Sequence, residues 1–184
     1  MGKFTVQLHT DGACIGNPGP GGWAFVLQEP ATGRRKECSG GEHDTTNNRM
    51  ELIAVIRGLE ALKSECDVKL FSDSQYVVKG ITQWMENWRC FGWKKSPKAK
   101  SQVRNADLWR RLDELLRLQK VTAEWLRGHV GHVENERCDL LANAAAARIG
   151  ATSKPISSAQ HTPSSDHALF ESAIVDVNSS HGPG

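Results

Sequence analysis

The feature that most limits what this chain can fold into is a change of hydrophobic period near residue 48. Before it, Phe4, Val6 and Leu8 alternate with Thr5, Gln7 and His9, the two-residue period of a strand with two different faces. After it, Leu52, Val55, Ile56, Leu59 and Leu62 recur at three- and four-residue intervals, one stripe of an amphipathic helix facing a core. A chain that opens as sheet and then turns helical must bury both kinds of face against each other, which restricts it to layered architectures.

The remaining segments extend that pattern. Trp23–Leu27 reads as a second strand, and Arg34–Ser39 as a third after the turn Ala31-Thr32-Gly33. The glycine- and proline-rich run GACIGNPGPGG, residues 12–22, reads as loop. Val68–Ser72 is a fourth strand and Val121–Leu126 a fifth. Helices are expected over Ser74–Arg89 with a break at Gly80, over Ala106–Leu118 with Leu108, Leu112, Leu115 and Leu116 inward, and over Glu134–Ile149. Three early strands followed by alternating helix and strand predict an α/β fold. Its five-stranded mixed sheet would be antiparallel at the start, parallel later, and flanked by helices. Ligands of such sheets meet the carboxyl ends of strands where the topology changes direction, and Asp11 and Asp73 close two strands there.

With 184 residues the chain suits one domain and a tail. The domain is expected over residues 1–150. Residues 151–184 are rich in Ser, Ala, Pro and His without a sustained period, and are expected to be disordered. Within that tail only Ala168–Val177, with Leu169, Phe170, Ile174, Val175 and Val177, is apolar enough for a docking motif and hence for a protein partner. Apolar runs are too short for a membrane span, and MGKFTVQ lacks the apolar core of a signal peptide. A cytoplasmic monomer with no membrane attachment is expected. The five cysteines, Cys14, Cys38, Cys66, Cys90 and Cys138, are odd in number and widely spaced, which argues against a disulfide framework or a zinc site. The tail holds Lys154 against Asp166, Glu171 and Asp176, so the net charge of +2 understates how basic the first 150 residues are.

Four acids stand out by position: Asp11 and Asp73 at strand ends, Glu51 early in the long helix, and Asp139 inside the last helix. Singly, each fits a helix cap or a dipole partner. Together, two strand ends and the helix beside them would bring several negative charges to one spot, where unit charges about 4 Å apart repel by roughly 4 kcal/mol at an effective dielectric near 20. A cation relieves that repulsion. All the candidate ligands are oxygen donors, so the ion should be hard and octahedral: Mg²⁺, with Mn²⁺ as a substitute. Such a site leaves coordination positions for phosphate oxygens. With one ion, or with two roughly 3.5–4 Å apart, it suits in-line displacement at a phosphodiester.

The motifs TDGACIGNPGPGG at 10–22, TTNNRMEL at 45–52, SDSQYVVKGI at 72–81 and GHVGHVENERCD at 128–139 resemble the four signature blocks of bacterial ribonuclease H, type I. The similarity runs from Lys3 to Gly150 and leaves the tail outside. It implies a ribonuclease H-like fold. It also implies an endonuclease that hydrolyses the RNA strand of an RNA–DNA hybrid by metal-assisted in-line attack of water, leaving 5′-phosphate and 3′-hydroxyl ends. By the resemblance Asp11, Glu51, Asp73 and Asp139 are metal-binding catalytic acids, and His129 is a catalytic histidine that helps move a proton.

The same resemblance places Cys14, Asn17, Asn47, Asn48 and Gln75 near the RNA strand. Amides suit a 2′-hydroxyl because each side chain both donates and accepts. Between Asn87 and Ala106 there is no acid, while Arg89, Lys94, Lys95, Lys98, Lys100 and Arg104 are basic and Trp84, Trp88 and Trp93 are interleaved or adjacent. Basic side chains with flat rings suit phosphate contact and stacking, and the segment resembles the family's basic protrusion on the DNA side. Thr46, Tyr76, Trp84 and Asn105 would line the DNA channel and its phosphate pocket. Asp44 stands where relatives often carry an arginine, a departure expected to weaken that pocket. Two other readings remain: a DNA strand-transfer enzyme of the same fold, and a non-catalytic hybrid-binding module.

Overall fold

A computed structural model of the chain describes residues 4–127 and 131–152. The element order is β1 (Phe4–Cys14), β2 (Gly19–Glu29), β3 (Arg34–Thr45), α1 (Asn47–Glu60), β4 (Cys66–Ser72), α2 (Gln75–Lys79), a π-helical turn (Gly80–Trp84), α3 (Met85–Cys90), α4 (Ala106–Leu116), β5 (Lys120–Trp125) and α5 (Val133–Thr152). The strands form one sheet in the order β3-β2-β1-β4-β5. The first three pair antiparallel and the last two join in parallel, the mixed sheet that the change of period predicts.

Alternation along the strands sends side chains to two cores. On one face Val6, Leu8, Phe25, Leu27, Val68 and Leu70 pack with Leu52, Val55, Ile56 and Leu59 of α1 and with Trp109, Leu112 and Leu115 of α4. Each fully buried side chain of this kind contributes about 1.5–3 kcal/mol. On the other face Ala24 and Val26 meet Cys138 and Ala142 of α5. That helix buries alanines rather than leucines, and Leu140 is 63% exposed. The reason is a close approach: a β-carbon on Gly22 would run into the Ala142 carbonyl oxygen and the Ala146 nitrogen.

The same crowding corrects the reading of residues 12–22 as loop. β1 continues to Cys14 and β2 begins at Gly19, so only residues 15–18 turn. Several of these glycines are strand residues pressed against helices, a role that their composition does not distinguish from a turn. Gly80 does mark an irregularity, though not a break. The chain stays helical but widens into the π-helical turn, where a β-carbon would overlap the buried Trp109 ring. α5 runs to Thr152, two residues beyond the expected domain end. No helix among the described residues is long and apolar enough to cross a membrane. His129 and the expected disordered segment beyond Thr152 lie outside the described residues.

Candidate active site

The site lies where the sheet's parallel half ends. β1 pairs with β4 only as far as His9↔Phe71, but stays paired with β2 up to Cys14↔Gly21. Asp11 therefore stands just past the point where β1 and β4 part, and Asp73 follows the last residue of β4. Into this crevice α1 brings Glu51, one turn from its start. Gly12 permits the approach, because a β-carbon there would collide with the Glu51 backbone nitrogen.

One carboxylate oxygen from each of Asp11, Glu51 and Asp73 lies within 4.8 Å of the other two. Asp11 and Glu51 are each only 5% exposed. One Glu51 oxygen accepts a long 3.5 Å hydrogen bond from the Asn47 amide, and the other is buried with no hydrogen-bond partner among the described residues. Burial first, and then the negative charges of Asp11 and Asp73, raise the Glu51 carboxyl well above its ordinary range. A buried oxygen without a partner, on a carboxylate grouped with two others, fits a hard divalent cation held by oxygen donors.

Asp139 lines the same open cleft of about 510 Å³ but is not among the three acids that share one point. Its Oδ1 accepts from Asn143 one helical turn on, at 2.9 Å. Cys14, Asn47, Asn48, Gln75 and Tyr76 line this cleft as well. The Cys14 thiol points to the Thr45 and Gly19 carbonyls at 3.5 and 3.6 Å. Asn17 serves α1 from outside: its side-chain oxygen accepts from the Asn47 backbone nitrogen at 3.1 Å, whereas Thr46, the N-cap itself, makes no side-chain cap.

A second group stands beside the cleft. The Tyr76 hydroxyl accepts from the Trp109 indole at 2.9 Å and the Asn105 amide at 3.2 Å. The Tyr76, Trp84, Trp88 and Trp109 rings pack in succession at centroid distances of 5.3–6.2 Å. Asn105 holds a left-handed backbone at φ 58°, a conformation asparagine tolerates better than most residues. Trp93, Lys94, Lys95 and Lys98 belong to the loop between α3 and α4 and do not line the carboxylate cleft. That loop is tied by Val103 N–H to the Trp93 carbonyl at 2.8 Å and by a Lys94–Gln102 bridge. Arg89 is not available to a ligand in the same way, since it pairs with the buried Asp113 at 2.6 Å.

Sequence reasoning missed several residues that hold the site. Ser74 caps α2 and lines the cleft. Arg49 forms a two-pronged bridge to Asp107 that pins α1 to α4 beside Asn105. Trp125, at the end of β5, donates its indole N–H to the Asp73 carbonyl at 3.0 Å. Two of them carry a local signal: Ser74, a serine at the start of a helix, and Asn143, four residues after Asp139.

A sequence profile described as RNase H matches residues 3–147. The chain belongs to the ribonuclease H family. The ribonuclease H of Pseudomonas putida strain W619 is 60% identical over 139 residues, which cover 76% of this chain and 91% of that protein. The ribonuclease H of Rhodopirellula baltica is 55% identical over 141 residues, 76% of this chain and 89% of its own. Among solved structures, LC9-RNase H1, described as a type 1 RNase H with the type 2 active-site motif, superposes with a TM-score of 0.71 at 31% identity, covering 80% of this chain and 74% of that one. LC11-RNase H1, solved with an RNA/DNA hybrid, shares the fold at 21% identity and a TM-score of 0.57, covering 78% of this chain and 97% of that one. In this ribonuclease H the acid cluster therefore sits on the fold and family that its four motifs imply.

Proposed function

We propose that the chain hydrolyses the RNA strand of RNA–DNA hybrids with Mg²⁺ held by Asp11, Glu51 and Asp73 and approached by Asp139. The observation that carries this reading is the convergence of three carboxylates within 4.8 Å, one of them nearly buried and with an unpartnered oxygen. A bound divalent ion would supply Lewis acidity to the scissile phosphate and ease ionisation of the attacking water. The side chains do the rest. Asp11 is fixed by its 2.7 Å bond from the Gly12 N–H, and Asn47 orients Glu51. Trp125 holds the Asp73 peptide, and Asn143 turns Asp139 toward the cleft.

Asn47, Asn48 and Gln75 along the cleft rim support recognition of the RNA 2′-hydroxyls. The Tyr76–Trp84–Trp88 rings, Thr46 and Asn105 would take the DNA strand, with Trp93, Lys94, Lys95 and Lys98 gripping it farther out. His129 would carry the proton as product leaves. The reading also takes residues 1–150 as a catalytic domain, 151–184 as an appended tail, and the working form as a cytoplasmic monomer. Labelled hybrid, duplex RNA and duplex DNA, each incubated with Mg²⁺ or with chelator, test it. Cleavage confined to the RNA of the hybrid, dependent on metal and abolished by Asp73→Asn with binding retained, is expected. Equal cutting of duplex DNA, or binding without turnover in the native protein, would overturn the reading in favour of the strand-transfer or binding-module alternatives.

A further inference from the structure

The molecule has a second cavity of about 520 Å³ that shares no lining residue with the catalytic cleft. It lies between α1, the start of α4, the β3 edge and the last turns of α5, with Trp23, Ile53, Ile56 and Ile149 among its apolar walls. Its volume is within the usual range of about 300–1,000 Å³ for ligand pockets. Nothing in the proposed chemistry uses it. Three guanidiniums and two carboxylates line it: Arg57 and Arg111 share the Glu60 carboxylate, Glu42 lies on the β3 side, and Arg148 makes no ion pair among the described residues.

We infer that this groove is the docking surface for the chain's own residues 166–177, DHALFESAIVDV, so that the tail folds back in cis outside the catalytic cleft. Three observations converge on that occupant. The first is where the described chain ends: Arg148 and Ile149 line the groove, and the last described residue, Thr152, lies about one helical turn beyond them. The second is reach. From Thr152 to Leu169 the chain can extend by roughly 56–61 Å, ample for a return to a site one helical turn behind its starting point. The third is complementarity. The segment offers Leu169, Phe170, Ile174, Val175 and Val177 to apolar walls, and Asp166, Glu171 and Asp176 with no lysine or arginine to a rim on which arginines outnumber glutamates three to two and Arg148 has no ion pair among the described residues. A tether this short supplies an effective concentration on the order of millimolar, so even an intrinsic affinity on the order of 100 μM would keep the groove mostly filled.

Hydrogen exchange read by mass spectrometry on the full chain tests the inference. In the native chain, amides of 166–177 and of the groove strand around Ser39–Glu42 should exchange about tenfold more slowly than in Phe170→Asp/Ile174→Asp, independently of protein concentration. Arg148→Glu should lose part of that protection, and Arg148→Glu with Glu171→Arg should regain it. Because these positions lie outside the catalytic cleft, hybrid cleavage by each variant reports that the domain is folded. Free-peptide exchange rates across 166–177 in the native chain would overturn the inference. So would protection that appears only as concentration rises, which would mean that the segment docks on a second copy.

Discussion

Replacing Glu51 by glutamine is expected to abolish activity and, in the absence of metal, to make the protein more stable. Glu51 is almost fully buried, with one oxygen unpartnered. Fully ionised, it would face two carboxylates whose oxygens lie within 4.8 Å, a repulsion of roughly 3–4 kcal/mol for each pair at an effective dielectric of about 20. Protonation limits that cost. With its folded pKa raised above the ordinary 4.5, Glu51 costs nothing below pH 4.5, where folded and unfolded chains both hold the proton. Stability then falls as pH rises, until the folded pKa is passed and the loss becomes constant. At pH 7 the loss therefore cannot exceed about 3.4 kcal/mol, at about 1.36 kcal/mol for each pH unit above the ordinary value.

Glutamine removes that charge, keeps an oxygen for Asn47, and can donate its amide to a neighbouring carboxylate. A net gain of about 1–3 kcal/mol should raise the apo Tm by about 2–10 °C at pH 7.5, and the gain should shrink towards zero near pH 4.5. Thermal unfolding in chelator at the two pH values measures it, and Mg²⁺ should narrow the gap by stabilising only the native protein. An apo variant no more stable than native at pH 7.5, or equally favoured at pH 4.5, would refute the reasoning.

Trp125→Phe keeps the ring but removes the donor to the Asp73 carbonyl; it should cost about 1 kcal/mol of stability and raise the Mg²⁺ concentration for half-maximal cleavage several-fold, and an unchanged Mg²⁺ requirement would exclude a positioning role. Arg137 and Arg35 hold the Glu37 carboxyl below its ordinary range against the opposing effect of burial. That contribution is present above pH 4.5 and lost as pH falls through the folded pKa, so the Tm gap between native protein and Glu37→Gln should close in acid. Neutralising Lys94, Lys95 and Lys98 together should raise KM and flatten the salt dependence of hybrid binding while leaving kcat within about twofold, because none of them lines the carboxylate cleft.

Much of this arrangement was legible in the residues because period and strand ends are local properties. The alternation at Phe4–Leu8 and the stripe from Leu52 to Leu59 place β1 and α1, and an acid after each of two strands locates the crevice. The glycine run was misread because turn and close packing select the same residue: what Gly12 and Gly22 avoid lies on α1 and α5, far along the chain. Long-range partners left no signal at all. Arg35 meets Glu134, and Glu37 meets Arg137, across about a hundred residues, tying β3 to the helix that carries Asp139. Trp109 was passed over for the leucines around it, yet it is fully buried and organises Gly80, Tyr76 and Trp88.

The central claim is that Asp11, Glu51 and Asp73 share one divalent ion, and anomalous diffraction from crystals grown with Mn²⁺ tests it most directly. A peak should lie about 2.0–2.2 Å from an oxygen of each of the three side chains. Full Mn²⁺ occupancy at any other site, with these carboxylates bridged only to one another or to water, would contradict the account.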